Sequence, residues 1–159
     1  MIYDFLKKYG IHYERFDHPA VFTCEESKKL CFDMPGNSTK NLFLRDKDGK
    51  RHFLVIVGHE KRVDLKKLKL LLGLSKLSFA SEDRLKKYLG VEPGSVTLLG
   101  LIHDTNHSVE VIIDEKLWDK NLQCHPLVNT ATLVISREGI ETFFKITGHI
   151  PKKINVPEK

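Results

Sequence analysis

The segment 125–136 constrains the fold of this chain more than any other, because its two halves differ in polarity. Residues 132–135 are β-branched or aliphatic throughout, which is typical of a strand buried on both faces. Polar groups beside a buried strand must be solvated or paired. The segment therefore predicts either an ordinary turn or a functional site at the entrance to a sheet. The polar or constrained residues before the strand are His125, Pro126, Asn129 and Thr130.

Size and composition indicate a single soluble domain. The chain has 159 residues, of which 41% are hydrophobic and 30% charged, enough for one core. No apolar run approaches the roughly 20 residues that span a bilayer. Residues 1–5 lack the basic region and apolar core of a signal peptide. We therefore expect one domain over 1–159, with an irregular tail from 148, in the cytoplasm.

Hydrophobic periodicity and turn signals predict a mixed α/β fold. Asp48-Gly49 indicates a hairpin between two strands, and serine, threonine or aspartate stands at the start of several helices. A mixed sheet curled around one core, with helices packed outside, follows from this order. Helices are predicted at 2–9, 23–30, 64–73, 81–89 and 136–147. Strands are predicted at 11–17, 41–46, 51–57, 76–80, 109–114 and 132–135, with another apolar strand after Pro93-Gly94 and before 103.

The helix predicted at 64–73 should bury one face. Leu65, Leu68, Leu71 and Leu72 recur at helical spacing after Asp64, a good N-cap. The formal net charge of +5 is compatible with a polyanionic partner such as RNA.

Covalent and metal-dependent catalysis are not favoured by the residues present. Cys124 and His125 are adjacent, and neighbours on an extended chain point to opposite faces. His103 and His107 lack a third ligand, and the residues between them indicate a turn rather than a helix. The three cysteines form no CxxC pair. We expect no metal and no cofactor.

Three features remain as candidates: Lys40 at the start of a strand, the His-Pro turn, and the Pro93-Gly94 turn. Each has a simpler alternative, since exposed lysines and turns of this composition are common. Together they suit an enzyme that positions its substrate and stabilises charge, without a covalent nucleophile.

Four motifs in one order resemble the YbaK/ProX family of prolyl-tRNA-synthetase-associated editing domains. They are TKNLFL at 39–44, LSFAS at 77–81, PGSVT at 93–97 and HPLVNTAT at 125–132. The resemblance is greatest to the free-standing branch that removes alanine from mischarged tRNA(Pro). It implies a mixed α/β fold with a curled, barrel-like sheet. It also implies hydrolysis, in trans, of the ester between a wrong amino acid and the 3′-terminal ribose.

The same resemblance implies a role for each matching residue. Lys40 would bind near the terminal adenosine or the scissile ester, and Asn41 would support it. His125 would line a small amino-acid pocket that admits alanine and rejects larger residues. The family is thought to use a substrate hydroxyl and a water, which agrees with the missing nucleophile. The remaining residues would shape the site: Gly94, Ser95 and Val96 through the loop that fixes the carbonyl and the water, and Asn129 and Thr130 through the turn.

One departure concerns the loop that would hold the aminoacyl carbonyl. The family commonly has proline after Pro-Gly-Ser-Val-Thr, but this chain has Leu98, which we include among the substrate-binding residues. Leucine restores a backbone N–H and loosens φ. His103 also replaces a frequent asparagine.

Two alternatives therefore stay open. One is a non-catalytic tRNA-binding module, and the other is a deacylase for another ester such as Cys-tRNA(Pro). The expected partner is the acceptor end of mischarged tRNA, with prolyl-tRNA synthetase or an elongation factor as further partners and no membrane.

Overall fold

The β structure of the described residues consists of eight strands. The computed structural model describes residues 1–20 and 35–159. The strands are β1 (Tyr13–Asp17), β2 (Thr39–Asp46), β3 (His52–Gly58), β4 (Leu77–Phe79), β5 (Val109–Asp114), β6 (Leu122–Cys124), β7 (Ala131–Ile135) and β8 (Lys152–Ile154). The predicted hairpin is confirmed, because β2 and β3 pair antiparallel around the turn at Gly49. Strand β7 is buried at all five positions, as its composition predicts.

The helices lie within the ranges that the sequence predicts. They are α1 (Ile2–Lys8), α2 (Leu65–Leu71), α3 (Glu82–Leu89) and α4 (Arg137–Thr147), with 3-10 helices at Leu98–His103 and Glu115–Leu117. The side chains of Asp64, Ser81 and Ser136 each accept a hydrogen bond from a backbone N–H in the first turn. The helix predicted at 23–30 lies outside the described residues. No helix in 1–20 or 35–159 is long and apolar enough to cross a membrane.

The strands form two sheets, and neither closes into a barrel. The first sheet has the order β1-β7-β6 and the second the order β4-β2-β3-β5-β8. The mixed α/β class is therefore confirmed, but the barrel-like closure is not. The two sheets meet at an isolated parallel bridge between Asn37 and Leu122. Backbone hydrogen bonds join Asn37 N to the Asn121 carbonyl and Gln123 N to the Asn37 carbonyl, so the sheets are joined by a single bridge and not by a continuous ladder.

The five-stranded sheet separates two hydrophobic clusters. Leu54 and Ile56 of β3 belong to the main core, which also contains residues of both sheets and of α1, α3 and α4. Phe53, Val55 and Val57 face a second cluster, against Leu68 and other residues. The alternation along β3 is the expected two-residue period of a strand with both faces covered.

The apolar segment after Pro93-Gly94 is a 3-10 helix, not the predicted strand. Thr97 caps it by accepting a hydrogen bond from Leu99 N. A side chain at Gly100 would lie 2.8 Å from the Leu89 carbonyl oxygen. Because Gly100 has no side chain, this helix approaches α3 more closely than a larger residue would allow.

The predicted irregular tail contains strand β8, which pairs parallel with β5. Lys153 Nζ lies 3.7 Å from the centre of the Trp118 ring, a cation–π contact. Val156 is 1% exposed. The prediction was wrong for Lys152–Ile154, because this basic segment pairs with a strand that is distant in the sequence.

The apolar face predicted for α2 is narrower than its leucine spacing indicates. Leu68 is fully buried, whereas Leu71 is 61% exposed. Leu65 and Leu72 pack against the second cluster, so Leu71 is the predicted leucine that lies outside the buried face.

Candidate active site

The junction between the two sheets brings Lys40 and His125 onto neighbouring segments. The bridge between Asn37 and Leu122 is parallel, and Gln123 N donates to the Asn37 carbonyl at 3.0 Å. Lys40 and His125 each follow the bridged residue of their own segment by three positions, 37 to 40 and 122 to 125. Adjacent strands lie about 5 Å apart. The two residues are thus at corresponding levels on segments that run in the same direction.

The register of β2 determines the direction in which Lys40 leaves the sheet. Lys40 is opposite Val57, and Asn41 is opposite Ile56. Residues directly opposite each other project to the same face. Lys40 therefore lies on the face of the second cluster, which contains Val57, and Asn41 on the face of the main core, which contains Ile56. We call the face of Lys40 the outer face.

His125 and Gln123 continue along the outer face. Leu122 and Cys124, the flanking residues of β6, both belong to the main core. Because side chains alternate along a strand, Gln123 projects to the opposite side. His125 follows two positions later, just beyond the end of β6. The outer face at the junction thus carries an ammonium group, a carboxamide and an imidazole.

The surroundings of His125 define its protonation state. Its Nδ1 lies 3.2 Å from the Ala131 carbonyl oxygen, which can only accept a hydrogen bond, so Nδ1 carries the proton. Burial lowers the pKa of His125, and the nearby His18 ring adds to this effect, while the bond to Ala131 opposes it. Near neutral pH the ring is therefore uncharged, and Nε2 keeps a lone pair that can accept a proton.

His18 belongs to this site although the sequence analysis did not select it. Its ring centre is 6.4 Å from that of His125. Its Nε2 lies 2.8 Å from Thr132 Oγ1, and its Nδ1 lies 2.8 Å from the Pro19 carbonyl oxygen. The sequence did contain a signal, because His18-Pro19 repeats the His-Pro pattern at 125–126.

The turn after His125 contacts the segment that follows β1 and carries His18. The Thr130 carbonyl accepts a hydrogen bond from His18 N at 3.0 Å. Thr130 is exposed and Asn129 is half-buried. Leu127 has φ of 70°. This left-handed conformation is uncommon for residues other than glycine and marks a tight bend in the chain. The turn therefore links His125 to β1, as well as to β7.

The Pro93-Gly94 loop forms a turn closed by a bond from Ser95 N to the Glu92 carbonyl, at 3.0 Å. Gly94 has φ of 86°, which favours glycine. Val96 packs against the main core, and Leu98 is 1% exposed within it. In residues 1–20 and 35–159, no hydrogen bond joins this loop to Lys40 or His125. Leu98 is thus part of the core at the start of the 3-10 helix, next to the loop.

Cys124, His103 and His107 are engaged in the packing and hydrogen bonding of the fold. Burial raises the pKa of Cys124 to about 12, so the thiol is not a ready nucleophile. His103 Nδ1 bonds the Leu89 carbonyl, and His107 Nε2 bonds the Thr147 carbonyl. Within the described ranges, no group of three potential metal ligands occurs.

A cavity of about 340 Å³ lies elsewhere, between α2 and the beginning of β5. Its lining includes Phe53, Leu72, Val109 and Ile150, and none of the predicted site residues. Its location at the far end of β3 from the junction separates it from Lys40. This cavity therefore adds no group to the candidate site.

Known structures share this fold across nearly the whole chain. A protein described as a candidate trans-editing enzyme for prolyl-tRNA synthetase matches with a TM-score of 0.71, 22% identity, and coverage of 97% of this chain and 92% of that one. A second structure, of a hypothetical protein, matches with a TM-score of 0.72 and 18% identity, covering 96% of this chain and 97% of that one. At these identities the similarity establishes the fold alone.

Sequence relatives are closer. The prolyl-tRNA editing protein ProX of Acetoanaerobium sticklandii is 40% identical over 152 residues, which cover 95% of this chain and 93% of that protein. The prolyl-tRNA synthetase associated domain-containing protein 1 of Danio rerio is 38% identical, covering 93% and 82% respectively. The model of the aminoacyl-tRNA editing domain matches residues 18–143. The chain therefore belongs to the aminoacyl-tRNA editing domain family.

Proposed function

We propose that this protein is a free-standing deacylase that hydrolyses the ester of mischarged tRNA(Pro), with Ala-tRNA(Pro) as its preferred substrate. The observation that carries the proposal is the junction of β2 and β6, where Lys40 and His125 follow a parallel bridge by the same number of residues. The name of the ProX relative supports the reaction class.

The reaction needs a water, an oxyanion stabiliser and a proton acceptor. Water adds to the ester carbonyl, the ester C–O bond breaks, and the proton passes to the departing ribose oxygen, giving a free amino acid and uncharged tRNA. His125 Nε2 is suited to accept the proton from the water or from a ribose hydroxyl, because its Nδ1 proton is held by Ala131. Lys40 supplies a positive charge at the same level of the neighbouring segment.

Two further groups support substrate placement in this proposal. Asn41 projects to the face of the main core, opposite to Lys40, so its part in this proposal is to support the strand that carries Lys40. The loop of Gly94, Ser95 and Val96 would hold the aminoacyl carbonyl, and the hydrogen bond from Ser95 N to the Glu92 carbonyl would keep this loop in shape. Asn129 and Thr130 would fix the turn that supports His125.

The experiment is a panel of tRNAs charged with alanine, cysteine and proline, incubated with the purified protein. Wild type is expected to release alanine fastest and to leave Pro-tRNA(Pro) intact. Lys40→Ala should reduce turnover by at least about 100-fold, the scale of losing one charge-stabilising donor. Lys47→Ala is the matched control, because Lys47 is exposed in the turn after β2 and should leave turnover unchanged.

The panel also separates the alternatives. Preferential release of cysteine would assign the protein to Cys-tRNA(Pro). Binding that weakens steeply with salt, without release of any amino acid, would indicate a tRNA-binding module without catalysis. Full activity of Lys40→Ala would contradict the role given to that lysine.

A further inference from the structure

A glutamine at the junction carries a buried acceptor that lacks a donor. Gln123 is 5% exposed, and its Oε1 has no hydrogen-bond partner among the residues that the structure describes. Its Nε2 donates to the Pro35 carbonyl at 3.0 Å. A carbonyl can only accept, so this bond fixes which end of the carboxamide is nitrogen. Oε1 is therefore the end that awaits a donor.

The backbone of Gln123 is hydrogen-bonded to the segment that leads to Lys40. Gln123 N donates to Asn37 O, and the Gln123 carbonyl accepts a hydrogen bond from Thr39 Oγ1 at 2.8 Å. The carboxamide shares the outer face with Lys40 and His125. A buried acceptor without a donor destabilises the folded protein, which is why such groups at a candidate site point to a ligand that supplies the donor.

The acceptor end of an aminoacyl-tRNA offers one cationic donor, the α-ammonium next to the ester. In the part of the chain that the structure describes, the junction itself contributes no carboxylate to pair with it. The carboxylate in the same cross-strand row is Glu14, which is opposite Val134, and Val134 in turn is opposite Gln123. Glu14 is thus two strands away, about 10 Å. A neutral carboxamide oxygen remains as the acceptor.

We propose that Gln123 Oε1 accepts a hydrogen bond from the α-ammonium of the bound aminoacyl ester. This inference rests on the deacylase function proposed above. It defines the substrate class as esters of amino acids with a free α-amine, and it places esters of α-hydroxy acids among the poor substrates. Gln123 is then a substrate-binding residue that nothing in the sequence indicated.

The test compares Ala-tRNA(Pro) with lactyl-tRNA(Pro), in which a hydroxyl replaces the α-amine at nearly constant size. Gln123→Met removes the acceptor and keeps the length of the side chain. We expect this variant to lower kcat/KM for the alanyl ester by about 10- to 100-fold, the scale of a hydrogen bond to a charged group. The effect on the lactyl ester should be about tenfold smaller, because a hydroxyl makes only a neutral bond.

The comparison of four rates isolates the contact, because the intrinsic reactivities of the two esters are the same for both proteins. Gln123→Glu is the matched control. It loses the bond to Pro35 but keeps an acceptor, so it should keep the preference for the alanyl ester. If Gln123→Met lowers kcat/KM equally for both esters, so that the wild-type preference remains, the inference is overturned.

Failure of the proposed function is distinguishable from failure of this inference. Wild type that cleaves neither ester contradicts the deacylase alone. Binding of the stable amides 3′-alanylamino- and 3′-lactylamino-adenosine, followed by nuclear magnetic resonance, then decides the role of Gln123. A preference for the alanyl amide that disappears in Gln123→Met supports it, and equal binding by wild type overturns it.

Discussion

Replacing the buried cation Lys61 should destabilise the protein more than breaking any exposed ion pair would. Lys61 Nζ lies 2.7 Å from Asp114 Oδ2, and the two side chains are 8% and 3% exposed. The same ammonium donates to the Val156 carbonyl at 2.6 Å and lies 3.5 Å from Asn155 Oδ1. One group thus joins the segment after β3, the end of β5 and the segment after β8.

The magnitude follows from what Lys61→Met leaves behind. Methionine fills much of the same volume, but the Asp114 carboxylate stays buried, and among the described residues it keeps only a weak hydrogen bond from Lys116 N, at 3.4 Å. Breaking a buried ion pair on one side costs about 3–5 kcal/mol. For a chain of this size, 1 kcal/mol corresponds to roughly 2–4 °C in Tm. We therefore expect Tm to fall by about 6–20 °C.

Urea unfolding followed by circular dichroism measures this loss, and thermal melts check it. Lys61→Met combined with Asp114→Leu should regain much of the stability, because no unpaired charge remains. Lys86→Met is the control, since Lys86 and Glu92 are 59% and 63% exposed and should contribute little. A loss below about 1 kcal/mol for Lys61→Met, or no recovery in the double variant, would refute the reasoning.

Two further predictions concern His125 and Cys124. The unfolded chain protonates His125 as pH falls below 6.5, the ordinary value, while burial lowers the pKa of this group in the folded protein. The contribution of His125 to the free energy of unfolding is therefore present above that pH and lost below it. Replacing His125 by glutamine should make the free energy of unfolding decline less steeply between about pH 7.5 and 5. An unchanged decline would contradict the assignment. Cys124, with its pKa raised to about 12 by burial, should resist maleimide in the native protein at about pH 8 and react after unfolding in urea; rapid native labelling in peptide mass spectra would show the opposite.

Local signals predicted most of the helices and the hairpin. Asp64, Ser81 and Ser136 cap their helices through bonds within one turn, which is information that the sequence contains directly. Asp48-Gly49 sets a turn in the same way. These elements need no knowledge of the rest of the molecule.

Elements stabilised by distant contacts were not predictable in this way. Strand β8 depends on contacts with β5 and Trp118, whereas its lysine-rich sequence is typical of a solvated tail. The 3-10 helix after Thr97 is apolar enough for a strand, and only the close approach of Gly100 to Leu89 distinguishes the two. Helix α2 shows the reverse error, because leucine spacing alone does not show that Leu71 lies outside the face that contacts the second cluster.

The candidate site divides similarly. Lys40 and His125 were predicted from the family resemblance and from polar residues at the ends of strands. His18 and Gln123 were missed, because their relevance lies in contacts across the sheet. For Gln123 the decisive fact is an acceptor without a partner, which no sequence pattern reveals.

The junction between the sheets has a consequence for synthesis on the ribosome. Thr39 and Gln123, which share a hydrogen bond there, are 84 residues apart in the chain. At about 5–20 residues per second, translation needs roughly 4–17 seconds to cover that interval. The strand that carries Lys40 therefore emerges well before its partner, and the junction can form only after the segment that carries Gln123 has been synthesised and has left the ribosome.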